Sequence, residues 1–178
     1  MPSYEIRTLR ADDFQRLAGL EQEIFGAAGE GLLCPHYLRL CCEMFADSCF
    51  LALDGERPVG YLLGFVKERQ AHCATLAVVE AYQRRRVTTG LVSAFVRSIC
   101  ERVDECWFTV KEDNAAARSL HAFLGAREVT RRQDYYGPGD ERIVACIDRE
   151  GFERMRARYQ RLGANAQPAA ASSEAAWA

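Results

Sequence analysis

Residues 82–91 combine side chains and a backbone pattern that suit anion binding. They read Tyr-Gln-Arg-Arg-Arg-Val-Thr-Thr-Gly-Leu, follow the apolar run at 76–79 and lead into an apolar-periodic stretch at 91–103. A strand, a tight basic turn and a helix start present unpaired backbone amides and the positive end of a helix dipole. The segment predicts a site for a phosphate-bearing ligand; the alternative is a solvated surface run of arginines.

Two histidines and a pair of tyrosines supply groups for proton transfer and substrate contact. His72 precedes the same apolar run, and His121 lies in a later segment of helical periodicity. Imidazole has an unperturbed pKa of about 6.5, so either ring can exchange protons near neutral pH. Tyr135 and Tyr136 lie in a loop with Gly and Pro. The structural alternatives are a surface histidine on a strand, a histidine packed on an apolar helix face, and ordinary turn packing.

Composition indicates a soluble globular protein and excludes several classes. The chain has 178 residues, of which 49% are hydrophobic and 27% charged. Its net charge of −2 argues against a general binder of nucleic acid or membranes. No apolar stretch reaches the roughly 18 residues of a membrane span, and the first residues lack the pattern of a secretory signal. We expect a cytoplasmic monomer or homodimer with no nucleic-acid or membrane partner.

The chain has eight cysteines, many for its length. They show no Cys-x-x-Cys pair and no paired Cys/His spacing, which argues against a zinc site or a disulfide framework. Most lie inside apolar runs, so we expect reduced, buried cysteines that pack as small hydrophobic residues. None has a local Gly-rich or His-containing signature of a nucleophile, and no metal is expected.

These candidate residues must be positioned by a mixed α/β sheet. The predicted order is β-α-α-β-β-β-α-β-α-β-β, which implies helices on the sheet faces. Strands are predicted at residues 4–9, 49–53, 59–66, 73–79, 106–110, 127–131 and 143–147. Helices are predicted after Asp12 or Asp13, from Pro35, over 91–103, and from the cap Asn114 to Gly125. Residues 1–150 form one domain, 151–163 an amphipathic helix beginning near 152, and 164–178 a disordered tail.

Two ordered motifs resemble those of the GNAT superfamily of N-acetyltransferases. Residues 76–78 and 82–91 are similar to its Leu-Ala-Val strand, Tyr-Gln, Arg-x-Gly-x-Gly/Ala and apolar helix. Residues 114–126 are similar to its Asn-x-x-Ala-x-x-Leu-Tyr-x-x-x-Gly-Phe motif. Residues 134–144 resemble the Tyr-Tyr…Glu-Asp-Ala segment of the branch that acetylates protein N-termini, including ribosomal-protein acetyltransferases. The resemblance implies a central, mostly antiparallel sheet with a splayed strand pair.

The resemblance also implies acetyl-CoA as cosubstrate and direct transfer of its acetyl group to an amine. The pyrophosphate would lie on the amides of residues 84–89, and the pantetheine arm would pair with residues 76–78 like a short strand. Asn114 matches a residue that helps to hold the cofactor, and it also suits a plain helix cap. The expected cofactor-binding residues are Leu76, Ala77, Val78, Gln83, Arg84, Arg85, Arg86, Val87, Thr88, Thr89, Gly90, Asn114 and Ala117.

The expected catalytic residues are His121 and His72. His121 stands where the family has its usual acid, a tyrosine, and an imidazolium can donate a proton. His72 stands at a place similar to that of a base histidine in arylalkylamine acetyltransferases. Glu68 and Glu112 are alternatives that would act through water. Thr109 stands where the N-terminal branch often has glutamate, and a threonine cannot act as the base.

The sequence leaves the acceptor open between a protein N-terminus, a lysine and a small amine. The loops at 26–33 and 134–142 would flank it, with the tyrosine pair contacting substrate. These loops carry the carboxylates Glu30, Asp140 and Glu141. Arg86 and Thr88 replace both glycines of the phosphate-binding motif, where glycine permits close backbone approach. This departure motivates the alternative, a catalytically weak or inactive relative that binds an acyl-CoA or a protein partner.

Overall fold

One sheet organises the part of the chain described by the computed structural model, residues 4–26, 31–83 and 86–161. Seven strands in these ranges follow the order β1-β2-β3-β4-β5-β7-β6. The β4–β5 pair is parallel, and the other neighbouring pairs are antiparallel. The strands are β1 (Glu5–Thr8), β2 (Phe50–Asp54), β3 (Arg57–Lys67), β4 (Gln70–Val78), β5 (Glu105–Val110), β6 (Arg127–Arg132) and β7 (Arg142–Ile147). The predicted mixed, mostly antiparallel fold is confirmed.

The helices lie between the strands in the predicted order, with one addition. They are α1 (Phe14–Phe25), α2 (Pro35–Glu43), α3 (Glu80–Gln83), α4 (Val87–Ile99), α5 (Ala115–Phe123) and α6 (Arg149–Arg161). The single turn α3 occupies residues that were predicted as part of a loop. Helix α6 begins before residue 152 because Asp148 accepts a hydrogen bond from the Gly151 amide at 2.9 Å and so caps it. The predicted tail at 164–178 lies outside the described residues.

Strand β4 begins earlier than predicted, and this changes the setting of His72. Its first residue, Gln70, pairs with Lys67 across the hairpin and with Glu105 of β5. His72 therefore lies inside a strand with neighbours on both sides, facing Phe65 and Trp107. Its side chain is half-buried.

Two hydrophobic clusters pack on opposite faces of the sheet. On one face, α4 and α6 contribute Val87, Leu91, Phe95, Ile99, Phe152 and Met155. On the other, α1 and α2 contribute Leu17, Leu20, Leu38, Cys41 and Cys42. Gly64 of β3 permits the closest approach of α4, because a Cβ atom there would lie 2.3 Å from the ring of Phe95. We refer to these as the α4 face and the α1–α2 face.

Asp13 differs from its predicted role as the cap of α1. It ends a short 3-10 turn (Ala11–Asp13), and its side chain makes no capping bond to α1. The buried carboxylate accepts hydrogen bonds from the Arg7 guanidinium at 2.6 and 2.8 Å and from the Arg10 amide at 2.9 Å. A buried charge needs a partner, and Arg7 of β1 supplies it in preference to the helix amides.

The eight cysteines are free thiols. Five are buried, Cys73 and Cys100 are half-buried, and Cys34 is exposed. Within the described ranges, no helix is both long and apolar enough to cross a membrane.

Candidate functional site

The parallel pair β4–β5 separates along its length. The two strands pair from Gln70↔Glu105 to Cys73↔Phe108, and the pairing stops there although both strands continue. At the same place β4 has a bulge, because Leu63 and Gly64 of β3 pair with Thr75 and Cys73 and leave Ala74 as an extra residue. A bulge bends its strand. The result is a cleft that opens toward the carboxyl ends of β4 and β5.

Leu76, Ala77 and Val78 form the β4 side of this cleft. Each pairs with β3 on one edge, while the edge toward β5 has no partner strand within the described residues. An extended ligand can add to such an edge through backbone hydrogen bonds. The side chains then need only pack, and they do so on both faces: Leu76 and Val78 on the α4 face and Ala77 on the α1–α2 face.

The first turn of α4 follows directly above the cleft. Its first backbone hydrogen bond runs from the Gly90 amide to the Arg86 carbonyl at 2.9 Å, so the amides of residues 87–89 have no acceptor within the helix. Arg86 has φ −70° and ψ 6°, and Thr88 lies inside the helix. Neither backbone conformation requires glycine. Arg84 and Arg85 lie outside the described residues.

The other residues predicted for the cofactor surround this turn. Val87 is fully buried in the core, and the Thr89 hydroxyl donates to the Arg86 carbonyl at 3.4 Å. The side-chain amide of Gln83 donates a hydrogen bond to the Val78 carbonyl at 3.2 Å and so connects α3 to the end of β4. Gly90 packs on β1, because a Cβ atom there would lie 2.4 Å from Cδ1 of Ile6. The turn is therefore fixed by packing on its inner side, while Thr88 is half-buried and Thr89 is exposed.

Asn114 caps the second helix beside the cleft. Its Oδ1 accepts a hydrogen bond from the Ala117 amide at 3.0 Å, as the cap prediction requires. Gly125 ends the helix with φ +82°, a conformation that suits glycine. The cap is confirmed, while contact of Asn114 and Ala117 with a cofactor stays a prediction.

His121 of α5 lies against the strand pair where it separates. Its ring centroid is 4.6 Å from that of Phe108, the last β5 residue that pairs with β4. Burial lowers the pKa of His121 to about 4. Within the described residues, its Nδ1 is the one buried side-chain nitrogen or oxygen without a hydrogen-bond partner. The ring is therefore neutral at pH 7, and the expected imidazolium donor is replaced by a neutral imidazole.

His72 and His121 lie on opposite faces of the sheet. Ala71 and Cys73 pack on the α4 face, so His72 between them points to the α1–α2 face. His121 contacts Phe108, which belongs to the α4 face. Burial also lowers the pKa of His72. The structure thus places one neutral histidine on each side of the cleft rather than bringing the two together.

The alternative carboxylates lie away from this junction or are paired. Glu68 lies in the β3–β4 turn, at the end of β4 opposite to the cleft, with φ +54°. Glu112 follows β5 and forms an ion pair with Arg131 at 2.5 Å. Thr109 is half-buried on the α1–α2 face beside Val144 of β7.

The tyrosine pair lies in the β6–β7 loop. Tyr135 and Tyr136 make an edge-to-face contact at 4.7 Å, and the Arg142 guanidinium lies 4.9 Å from the centre of the Tyr136 ring. A cavity of about 690 Å³ lies between this loop and the end of β5. It is lined by Lys111, Glu112, Asp113, Gln133, Asp134, Gly139, Asp140 and Glu141. The role of this loop at the acceptor stays a prediction.

Two residues beside the cleft were not singled out from the sequence. Tyr37 of α2 packs edge-to-face on Phe65 of β3 with ring centroids 5.8 Å apart, and Thr75 is the first residue after the bulge. The spacing of four residues between Tyr37 and Cys41 marks both as facing the sheet, but it does not distinguish a site tyrosine from a core aromatic.

Comparisons with known proteins agree with this geometry. Residues 6–126 match the description of the acetyltransferase (GNAT) family. The chain is 30% identical over 103 residues to an N-alpha-acetyltransferase of Sulfurisphaera tokodaii, across 50% of this chain and 61% of that protein. It therefore spans less than two thirds of that relative. It is 28% identical over 115 residues to the [ribosomal protein bS18]-alanine N-acetyltransferase of Escherichia coli, across 58% of this chain and 78% of the relative.

A solved structure shows the same fold. It is the diaminobutyrate acetyltransferase of Paenibacillus lautus in complex with L-2,4-diaminobutyric acid and coenzyme A. The TM-score is 0.69 at 18% identity, across 82% of this chain and 95% of that one. The family match covers more than half of the 178 residues and includes the strand, the turn and both helices that border the cleft. The chain therefore belongs to the acetyltransferase (GNAT) family.

Proposed function

We propose that this protein transfers the acetyl group of acetyl-CoA directly to a primary amine, and that the amine is the N-terminus of a protein. The observation that carries the proposal is the junction of the β4–β5 cleft with the first turn of α4. Strand β4 has an edge without a partner strand, and the first turn of α4 has backbone amides without an acceptor in the helix. Together they match an elongated ligand with an amide-containing arm and an anionic end.

The residues at the cleft fit coenzyme A. The amides of Thr88 and Thr89 and the dipole of α4 favour a pyrophosphate, and the exposed Arg86 adds charge. The β4 edge at residues 76–78 suits the pantetheine arm. The orphaned Nδ1 of His121 beside Phe108 indicates that the inner end of the cleft is built for a polar partner. Gln83, Asn114 and Ala117 border this path, and Arg84 and Arg85 remain predicted contributors.

The two histidines have different roles in this proposal. Acetyl-CoA would supply the thioester, whose carbon–sulfur bond breaks as the acetyl carbon bonds to the amine. The neutral His72 on the α1–α2 face accepts the proton that the amine loses. The neutral His121 on the α4 face donates a hydrogen bond to the leaving sulfur, and the thiolate takes its proton from water. This assignment fits the opposite faces of the two rings, with the acceptor on the α1–α2 face.

The acceptor class rests on the relatives and on the approach side. Both sequence relatives carry names that specify an N-terminal amine as acceptor. The 690 Å³ cavity beside the β6–β7 loop is lined by five carboxylates and one lysine, and two of the carboxylates, Glu112 and Asp140, are paired with arginines. A negative rim attracts an ammonium group before it loses its proton. Lysine side chains and small amines carry the same charge, so they belong in the test.

The experiment is acetyl transfer by purified protein to three matched peptides, followed by mass spectrometry. One has a free N-terminus and no lysine, one has a blocked N-terminus and one lysine, and one is blocked without lysine. We expect modification of the first at its α-amine. Acetylation confined to the lysine peptide would overturn the acceptor class. Cofactor binding without transfer to peptides or to a panel of small amines would favour the inactive relative, and no binding at millimolar acetyl-CoA would end the proposal.

A further inference from the structure

We propose that Lys111 is a site of self-acetylation, at which the side-chain amine takes the acetyl group of acetyl-CoA bound in the cleft of the same molecule. The inference rests on the proposed function, since both use the same cofactor in the same cleft. It adds an acceptor that belongs to the protein itself. The modification removes the positive charge that Lys111 brings to the cavity beside the β6–β7 loop.

Lysine is rare in this chain, which uses arginine for almost all of its cations. The sequence contains 21 arginines and two lysines, Lys67 and Lys111. Both lysines are exposed. A guanidinium keeps its proton in proteins, whereas a lysine amine can act as a nucleophile toward a carbonyl group. The chain therefore presents two side-chain amines that are able to accept an acetyl group, and their positions differ.

The register of the β4–β5 pair places Lys111 beside the cleft. The pairing of the two strands ends at Cys73↔Phe108. Counted onward from that pair, Lys111 is level with residues 76–77, because it is the third residue after Phe108 and β4 has one extra residue in its bulge. These β4 residues belong to the edge proposed for the pantetheine arm. Lys111 therefore lies across the opening from that arm, and its flexible four-carbon side chain can extend toward the thioester.

Most of the carboxylates around Lys111 have partners of their own. The cavity that Lys111 lines has a volume of about 690 Å³ and five acidic side chains. Four of the five contact a donor other than Lys111. Glu112 contacts Arg131, Asp140 contacts Arg142, Asp134 accepts a hydrogen bond from the Gly139 amide, and Glu141 accepts one from the Gln133 side chain. These four carboxylates do not need Lys111 as their counter-ion, and its side chain is accessible from solvent.

Self-acetylation needs no reactant beyond acetyl-CoA and water. The side-chain nitrogen of Lys111 bonds to the acetyl carbon, and the carbon–sulfur bond of the thioester breaks. The nitrogen loses a proton to water, and the leaving thiolate takes a proton from water. Because the amine and the bound thioester belong to one complex, the transfer is unimolecular, and its rate per molecule does not depend on protein concentration.

The test follows the purified full chain by mass spectrometry after acetyl-CoA is added, with each lysine read from its own proteolytic fragment. Lys67 is the internal control, because it is equally exposed but level with Gln70, about 20 Å of strand from the level of residue 76. We expect Lys111 to be acetylated about 10-fold faster than Lys67 or more, since only Lys111 lies beside the bound thioester. The rate should be the same at every protein concentration, and Lys111→Arg should abolish the modification.

Two variants show whether the transfer uses the cleft of the same molecule. His121→Phe keeps Lys111 but lacks the hydrogen-bond donor at the inner end of the cleft, so its Lys111 should be acetylated about 100-fold more slowly. Lys111→Arg has an intact cleft and no amine at this position. Added to His121→Phe, it should not restore acetylation of Lys111, because the transfer occurs within one molecule.

Acetylation of the N-terminal peptide is measured in the same samples, so the two proposals fail separately. Acetylation of Lys111 without transfer to any peptide contradicts the acceptor class of the proposed function and supports the inference. Peptide acetylation with Lys111 and Lys67 modified at equal rates would overturn the inference and leave the proposed function standing. Restoration of the Lys111 modification by the mixed variants would also overturn it, and no acetylation of either kind would overturn both.

Discussion

The ring of His121 packs against the ring of Phe108 with 4.6 Å between centroids and a tilt of 42°. Phe108 is the last residue of β5 that pairs with β4, so this contact marks the inner end of the cleft. The packing removes water from the imidazole, and burial lowers its pKa to about 4. His121 stands where the family has a tyrosine, and like a tyrosine it is neutral at pH 7.

Replacing His121 tests whether its imidazole contributes to acetyl transfer. We expect His121→Phe to lower kcat about 100-fold or more, the usual value of a hydrogen-bond donor to charge that develops in the transition state, with acetyl-CoA affinity preserved because a planar ring is kept. His121→Tyr restores an O–H donor and should lose less. Steady-state kinetics and calorimetric titration with acetyl-CoA measure the two quantities.

The pH profile of the same variants checks the protonation state. With a pKa of about 4, His121 is neutral throughout pH 5.5 to 8, so wild type should show no loss of kcat in that window that His121→Phe removes. An imidazolium donor would instead lose activity as pH rises through its pKa. If kcat of the wild type falls with rising pH in this window and kcat of His121→Phe does not, His121 is not neutral as we infer.

Adding a negative charge to the first turn of α4 should separate helix stability from ligand binding. Thr89 is exposed, and Thr89→Asp places a carboxylate near the helix N-terminus, which favours the helix by about 0.3–1 kcal/mol. The same charge repels a pyrophosphate on the neighbouring amides, so acetyl-CoA affinity should fall and depend more steeply on salt. Thermal melts and calorimetry give both values. Gln22→Glu, at an exposed position of α1, makes the same change in charge and should leave acetyl-CoA affinity intact. An equal loss of affinity in both variants would contradict pyrophosphate binding at the first turn of α4.

Cys73 lies at the point where β4 and β5 separate, yet we expect no role for it as a nucleophile. Burial raises the pKa of Cys73 to about 12, so roughly one thiol in 10⁵ is ionised at neutral pH. Cys73→Ala should keep kcat close to wild type, and rapid quench should trap no acetylated protein. Cys100→Ala, at another half-buried cysteine, is the matched control. Loss of activity confined to Cys73→Ala would argue for a covalent route.

The buried Arg7–Asp13 pair should make stability depend on acid pH. The Arg7 bond holds the pKa of Asp13 below its usual range. The stabilisation is therefore complete well above the unfolded value of about 3.9 and is lost as pH falls through that value toward the folded pKa. Arg7→Ala should cost about 3–5 kcal/mol and flatten this dependence.

Arg16 provides the comparison for Arg7. It reaches the same carboxylate at 3.2 Å from an exposed position, so Arg16→Ala should cost about 1 kcal/mol or less. Denaturant unfolding between pH 3 and 7 measures both variants. Equal costs would show that burial of the Arg7 pair does not determine its contribution.

Local patterns in the sequence were sufficient for the order of the strands and of the longer helices and for the position of the turn before α4. The Gly55 turn between β2 and β3, the Asn114 cap and the Gly125 stop each depend on neighbours within a few residues. The same holds for the apolar spacing of α4. Such signals are short-range, and the structure preserves them.

The geometry of the site depended on contacts that sequence spacing does not encode. The bulge at Ala74 arises from pairing with β3, so it determines the faces of Thr75 and Leu76 without any local signal. The burial of His121 depends on Phe108, which comes from a separate strand. The contact of Tyr37 with Phe65 joins residues far apart in the chain. Tertiary packing decides these features.

The extra residue in β4 has a consequence for how this cleft can be gained or lost in a lineage. Removal of the Ala74 codon would leave Cys73, Thr75 and Leu76 on the faces that they already occupy, because two-residue alternation would then run without interruption. The core would keep its composition while the strand lost the irregularity that lies where β5 departs. One in-frame deletion is therefore expected to straighten β4 beside the cleft while the neighbouring side chains keep their faces.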